Sequence, residues 1–343
     1  MAVKVTVLMT LYNKAPFVAA AARSVLDGTF RDLELLIVDD ASTDGGVDVV
    51  RSLNDPRVRL LANERNMGRA ASANKGYAAA RGDYIAILDA DDVQEPDRLT
   101  KQVAFMDEHP EVGVCGSAAR YFGSKEGVAQ WPLTDAECRG RLLFTDPVLY
   151  GSSIMRRSVM VAHGLRSNAQ WTLPAEDYLF MLTWSPHTRF ANLPQVLMSY
   201  RIGEHNQRHG RDPMEDRSAV CKEVFRYFGI PLSEEELDVH LLFHQLLRSN
   251  ADTRLVRRFL DWEKELLARV EALGVFPMEV FTKEVARRRR RAFYQFAEHD
   301  LRATLLYLSA TGGPSLREAT YLVKATVGRW MGLRNRVSVQ LTY

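Results

Sequence analysis

Four apolar, β-branched runs separated by helix-length segments constrain this chain more than any other feature. They are Val3–Met9, Leu33–Val38, Val58–Leu61 and Tyr84–Leu88. Each has strand length, and their near-continuous hydrophobicity suits strands covered on both faces. Between them lie an alanine-rich segment from Pro16 to Leu26, a shorter one over Val47–Leu53 and a small-residue stretch over Gly68–Arg81. All three suit helices, and Pro16 fits a first turn, where its missing N–H costs nothing. The alternation predicts an α/β fold: right-handed βαβ units on a mainly parallel sheet with flanking helices.

The fourth run ends abruptly on Asp89, Asp91 and Asp92. Like charges this close repel, and desolvation penalises each carboxylate, so something positive must compensate. No Cys or His stands nearby to make a soft site, so the expected guest is a hard divalent cation, Mg²⁺ or Mn²⁺. Such ions favour one or two carboxylates plus phosphate oxygens, which implies a phosphate-bearing ligand. The bland reading is a solvated acidic turn in which Asp92 caps a helix beginning near Pro96.

Two other polar turns, Thr10–Asn13 and Asp39–Asp44, follow strands in the same way. In open parallel sheets ligands gather beyond the carboxyl ends of the strands, so the three turns converge on one pocket. There Asp39 or Asp40 could accept from a uracil imide or from ribose hydroxyls. Thr10 and Tyr12 could supply a hydrogen bond and a stacking face. Glu176 and Asp177 open an apolar helix just after Pro174. They suit either a base for an acceptor or acids that complement the helix dipole.

After Asp97 the pattern predicts a helix to His109, strands from Val112 to about Phe122, another strand over Val148–Met155 and a helix over Ser158–His163. An extended segment follows over Phe190–Arg201. Beyond Ser218 the texture turns helical, over about 218–228, 233–248, 253–272, 280–309 and 315–331. The expected division is therefore a catalytic domain over 1–215 and a helical domain over 216–343. The hydrophobic share is 46% and the formal charge only +2, which suits a globular protein and gives no bulk attraction for nucleic acid. Cys115, Cys138 and Cys221 are unclustered and match no zinc spacing, as in a reducing cytoplasm. Neither a signal peptide nor a transmembrane span is expected. Five consecutive arginines, Arg287–Arg291, wrap a whole helix circumference. Some must therefore be solvated or paired with acids; the alternative is a peripheral anchor on anionic lipid, at about 1 kcal/mol per basic residue. The apolar positions around them suit a helical core or a dimer contact.

Taken together, Val7–Asn13, Leu36–Asp44, Asn66–Gly68 with Asn74–Gly76, and Gly82–Asp92 resemble glycosyltransferase family 2, inverting nucleotide-sugar transferases of GT-A fold. Glu176–Asp177 is similar to that family's Glu-Asp pair, and Tyr200–His205 to its arginine-bearing segment. The similarity spans about the first 210 residues. It implies a Rossmann-like GT-A domain with nucleoside contacts from Thr10, Leu11, Tyr12, Asp39 and Asp40. It further implies donor contacts from Asn66, Arg69, Asp89, Ala90, Arg201 and His205. Asp89 and Asp91 would form the DxD motif, with Asp91 the direct ligand of Mn²⁺ or Mg²⁺. Asp177 would be the general base, with Glu176 beside it. The family often has a basic residue where this chain has Ala73, with Arg69 or Lys75 as substitutes, and a histidine where it has Gly203.

The activity so implied is a single in-line displacement with inversion, from a UDP-type sugar donor to a carbohydrate or lipid-linked acceptor. Bacterial surface polysaccharide or glycoconjugate synthesis is the expected setting, in the cytoplasm or peripherally at the inner face of the cytoplasmic membrane. Two rival readings are a sugar nucleotidyltransferase and a non-catalytic nucleotide-sugar-binding protein. The first needs a glycine-rich N-terminal loop that Met9–Lys14 lacks.

Overall fold

The computed structural model describes residues 3–203, 210–248 and 250–330, with side chains described as far as residue 326. The chain divides into two compact units, Met1–Arg211 and Asp212–Tyr343.

The first unit begins with β1 (Val5–Leu11), α1 (Ala15–Leu26), β2 (Leu33–Asp39), α2 (Gly46–Ser52), β3 (Val58–Ala62), α3 (Arg69–Ala79) and β4 (Tyr84–Ile87). It continues through β5 (Val93–Gln94), α4 (Arg98–Glu108), β6 (Val112–Gly123), β7 (Gly127–Ala129) and α5 (Asp135–Arg139). β8 (Ile154–Arg156), α6 (Arg157–Ala162), α7 (Glu176–Trp184) and β9 (Arg189–Ile202) complete it. The strands form one sheet in the order β3-β2-β1-β4-β8-β6-β9-β5, with β7 beside β6. β3, β2, β1 and β4 are mutually parallel, as are β6 and β9. The short β5, β7 and β8 pair antiparallel.

The continuous hydrophobicity of β1, β2 and β4 follows from burial on both faces. On one face Val7, Met9, Leu35, Ile37 and Ala86 pack with Val18, Ala22 and Val25 of α1 and Leu99, Val103 and Met106 of α4. On the other, Leu8, Leu36, Val38, Ile85 and Ile87 pack with Ala73 and Tyr77 of α3 and Phe180, Met181 and Trp184 of α7. The small residues of α3 let it approach closely: a Cβ on Gly76 would fall 2.2 Å from Leu8 Cδ1.

At the amino edge of the sheet a buried carboxylate ties four segments together. Glu34 accepts from Thr6 Oγ1 at 2.7 Å, Arg59 Nη1 at 2.5 Å and Arg81 N at 2.9 Å. Burial alone would raise this carboxyl, but those donors outweigh it and hold it below its ordinary value.

Val148–Met155 does not form a strand throughout. A 3-10 turn over Tyr150–Ser152 precedes β8, because Ser152 Oγ and Ser153 Oγ donate back to Leu149 O and Tyr150 O and satisfy the backbone locally.

The second unit holds α8 (Pro213–Phe228), α9 (Glu234–His240), α10 (Thr253–Leu273), α11 (Met278–His299), α12 (Leu301–Ala310) and α13 (Leu316–Trp330). α8 starts earlier than its apolar pattern suggests, because Asp212 caps it by accepting from Met214 N and Pro213 fills the first turn. The run expected over 233–248 stops as a helix at His240 and tightens into a 3-10 turn, Leu241–His244. The run expected over 280–309 is two helices. Asp300 ends α11 in extended backbone and caps α12, accepting from Ala303 N at 2.8 Å.

The arginine run is largely paired within this unit. Arg287 and Arg288 bond Glu284, Arg289 bonds Glu263, and Arg290 reaches Glu318. Pairing with acids, one of the two outcomes expected of a fully wrapped helix, therefore accounts for four of these charges. Among the described residues no helix is long and apolar enough to cross a membrane.

Candidate active site

Register places the polar turns side by side. Leu11 at the end of β1 faces Asp39 at the end of β2, and Leu8 faces Ile87 of β4. The first two turns are then knitted together. Asn13 N donates to Ser42 Oγ at 3.0 Å, Thr43 N to Asn13 Oδ1 at 2.9 Å, and Ala15 N to Asp44 Oδ2 at 2.7 Å. Asn13, Ala41 and Ala175 adopt positive φ, a costly conformation for residues with a Cβ. Each sits beside one of the acidic segments, and Ala175 directly precedes Glu176.

Tyr12 is 47% exposed, so its ring is available as a stacking face. Leu11 is fully buried beneath this turn. Asp39 and Asp40 are both buried, and their carboxylates already organise loops. Asp39 accepts from Ser42 N. Asp40 Oδ1 accepts from Asn63 Nδ2 and Met67 N, and Oδ2 from Gly68 N, each at 2.8 Å. Asn66 Oδ1 accepts from Gly68 N, so Asn66 and Asp40 jointly shape the turn into α3, where Gly68 adopts φ +87°.

That turn delivers Arg69 into a ring of acids. Its Nε bonds Glu176, its Nη2 lies 3.4 Å from Asp177 Oδ2, and its Nη1 lies 3.9 Å from Asp89 Oδ2. Glu176 is buried and its Oε2 has no hydrogen-bond partner among the described residues. Asp177 is more accessible, with Oδ1 accepting from Tyr178 N.

The fourth-strand acids differ in surroundings. Ala90 is buried between them. Asp89 is pushed up to about 6, burial being the main cause and Arg69 opposing it. Asp91 is ion-paired with Lys14, Nζ to Oδ2, at 2.5 Å. Asp92 is buried; its Oδ1 accepts from Arg201 N at 2.8 Å, while Oδ2 has no partner among the described residues. Burial, then the Asp89 charge, raises Asp92 well above the usual carboxyl value. A Cβ on Gly151 would lie 3.6 Å from both Asp89 Oδ2 and Asp92 Oδ2, so the two carboxylates converge on that glycine. Arg98 is also fully buried close by, donating to Ile87 O at 2.9 Å and Ser153 O at 3.2 Å. Burial lowers it to about 10, and Asp92 opposes that fall.

An all-oxygen donor set with a buried, unmatched carboxylate oxygen fits a hard divalent cation. The unmatched oxygen is Asp92 Oδ2, and Asp89 and Asp91, on either side of Ala90, could supply further oxygens to such an ion. Arg201 stands over the same corner: its Nε donates to Asp91 O at 3.0 Å, and its guanidinium lies 4.6 Å from the Phe17 ring and 4.3 Å from the Phe122 ring.

The structure thus gathers Arg69, Asp89, Asp91, Arg201, Glu176 and Asp177 at one edge, beside the Thr10–Asn13 turn. His205 lies outside the described residues. Sequence reasoning passes over Lys14, Asp92's hold on Arg201, the two flanking phenylalanines and Gly151. Only Lys14 gives a signal, as a basic residue directly after the first polar turn.

A second cluster belongs to the helical unit. Ligand atoms of Cys221, His240 and His244 lie within 4.8 Å of one another. Burial first, then Arg288 and Arg217, lowers His240 to about 3, and burial, then Arg217 and Arg288, lowers His244 well below the usual imidazole value. His240 Nδ1 accepts from Trp262 Nε1, and the ring packs against Phe225, Phe243 and Trp262. Cys221 Sγ lies 3.6 Å from His244 Nε2, and Arg217 and Arg288 bring positive charge near both rings.

Residues 6–162 match the family described as Glycosyl transferase family 2. Among similar proteins, the putative glycosyltransferase EpsE of Bacillus subtilis (strain 168) is 29% identical over 238 residues, covering 67% of this chain and 85% of that one. S. aureus TarS 1–349, solved in complex with UDP-GlcNAc, superposes with a TM-score of 0.59 at 17% identity, over 96% of this chain and 92% of that one. The mannosyltransferase PcManGT of Pyrobaculum calidifontis, solved with GDP-Man and Mn2+, gives 0.51 at 18% identity, over 96% and 87%. These last two are likenesses of fold.

Proposed function

The chain belongs to glycosyl transferase family 2 through residues 6–162, and on that premise we propose a metal-dependent, inverting transfer of a sugar from a nucleoside-diphosphate donor to an acceptor hydroxyl. The observation that carries this reading is the convergence of Asp89 and Asp92 on Gly151, with Asp91, Arg201 and Asp177 around the same corner. TarS, of like fold, holds UDP-GlcNAc, and PcManGT holds GDP-Man with Mn2+.

Roles follow from accessibility. Asp177 is the carboxylate that an acceptor can reach, so it takes the hydroxyl proton as the oxygen attacks the anomeric carbon. Buried Glu176 and Arg69 hold it in place. The nucleoside diphosphate leaves from the opposite face, and configuration inverts. A divalent cation held by Asp89 and Asp91 would neutralise charge growing on the leaving diphosphate. Arg201, steadied by Asp91 O and two aromatic faces, meets the same charge from the protein side. Tyr12 stacks on the base, and Asp40, with one acceptor site left on Oδ2, favours the uracil imide. Thr10 completes the nucleoside contacts. Surface polysaccharide or glycoconjugate synthesis is the setting this chemistry suits.

A thermal-shift screen over UDP-, GDP- and dTDP-sugars with Mn²⁺ tests the reading, because donor affinity raises apparent stability. A UDP-sugar that stabilises only with metal, and is then consumed in a transfer assay, is the expected result. No stabilisation by any nucleotide sugar would overturn it.

A further inference from the structure

Lys14 has no part in the scheme above, yet it makes the closest contact with the expected metal ligand. Its Nζ lies 2.5 Å from Asp91 Oδ2, with Lys14 19% and Asp91 13% exposed. The two residues are 77 positions apart and meet only through the fold. The backbone on either side of Lys14 is fixed: Asn13 N donates to Ser42 Oγ and Ala15 N to Asp44 Oδ2. Lys14 O also accepts from Phe17 N and Val18 N as α1 begins. The main chain is therefore anchored, so any relocation of the ammonium takes place in the four-carbon stem.

We infer that Lys14 is an exchangeable counter-cation: it holds Asp91 in the free protein and passes to the donor's diphosphate when a divalent ion takes Asp91. This rests on the glycosyl-transfer reading above and adds a residue to it. A divalent ion on the Asp91 carboxylate repels the ammonium and draws off the negative charge that holds it, so the two cations compete for that group. The released ammonium stays within reach, since a diphosphate bridged to that ion lies next to Asp91. A lysine suits such an exchange, being a compact charge on a flexible stem with three rotatable donors, whereas an arginine fork is made for a fixed partner. Arg69 illustrates the contrast, its planar group spread over Glu176, Asp177 and Asp89. The exchange also keeps Asp91 from facing Asp89 uncompensated before the metal arrives.

The exchange makes two effects of removing the charge run in opposite directions. In Lys14→Met the competitor for Asp91 is gone, so Mn²⁺ alone, followed by the electron paramagnetic resonance of free Mn²⁺, binds several-fold tighter than to wild type. UDP titrated at saturating Mn²⁺ binds about tenfold or more weaker, because a charge-assisted contact is lost. Lys14→Gln shows the same pair of changes, so the result does not depend on how one variant folds. Weaker or unchanged Mn²⁺ binding, or unchanged UDP binding, in these variants overturns the exchange while leaving the transferase reading intact. Wild-type protein that binds neither Mn²⁺ nor UDP overturns both.

Discussion

Arg69, the first residue of α3, is ion-paired through Nε with Glu176, the first residue of α7, 107 positions further along the chain. The pair joins two helices on one face of the sheet and fixes the approach to Asp177. Arg69→Gln leaves Glu176 buried without its cation. Loss of a charge-assisted contact of about 1.5–3 kcal/mol corresponds to a roughly 10- to 150-fold fall in kcat/KM. If the arginine acts mainly by restraining Glu176, Arg69→Gln combined with Glu176→Gln is less damaging than the sum of the two. Steady-state kinetics on the four proteins of this cycle measures that coupling.

Asp177→Asn keeps the shape of the carboxylate and removes its basicity. Turnover is expected to fall about 10²–10⁴-fold, the usual contribution of a positioned general base. Donor affinity, measured by calorimetry, stays near wild type, because the proposed base acts on the acceptor hydroxyl and not on the donor. Retention of most activity would remove Asp177 from its role.

Glu34 makes stability depend on acid. Its carboxyl is held below the ordinary value in the folded chain by Thr6, Arg59 and Arg81 N against the effect of burial. A depressed carboxyl contributes stability above its unfolded value and loses it as pH falls through the folded one. Glu34→Gln is expected to cost about 1–3 kcal/mol near neutrality and progressively less as pH drops below about 4.5. Urea unfolding at pH 7 and pH 4 would show the gap between variant and wild type narrowing.

In the helical unit, Glu284 is the partner of the buried Arg288. Burial lowers that arginine to about 10, with Glu284 opposing the fall. Glu284→Ala removes this carboxylate from the buried guanidinium and is expected to cost about 3–5 kcal/mol. Replacing both residues by methionine should recover much of the loss, as apolar substitution of a buried pair often does. Chemical denaturation of the three variants checks both effects.

The strands and their acidic ends are legible in the chain because burial on both faces leaves unbroken apolar runs, and the acids follow at once. Asp39, Asp89 and Asp91 announce themselves by interrupting a pattern. Contacts that depend on distant registers leave no such mark: Lys14 meets Asp91, and Asp92 meets Arg201, only once the sheet has formed. The break at Asp300 hides because apolar spacing continues on both sides of a helix cap. The strand expected over Val148–Met155 shortens to β8 for a local reason, since only Ile154–Arg156 pair and the preceding serines bond their own backbone.

The central claim is that carboxylates at the end of the fourth strand grip a cation that anchors the donor. Anomalous diffraction from crystals grown with UDP and Mn²⁺ tests it most directly. The expected result is a manganese peak within coordination distance of Asp91 and a diphosphate oxygen. A UDP-bound structure with no peak there, and with Lys14 still against Asp91, would contradict it.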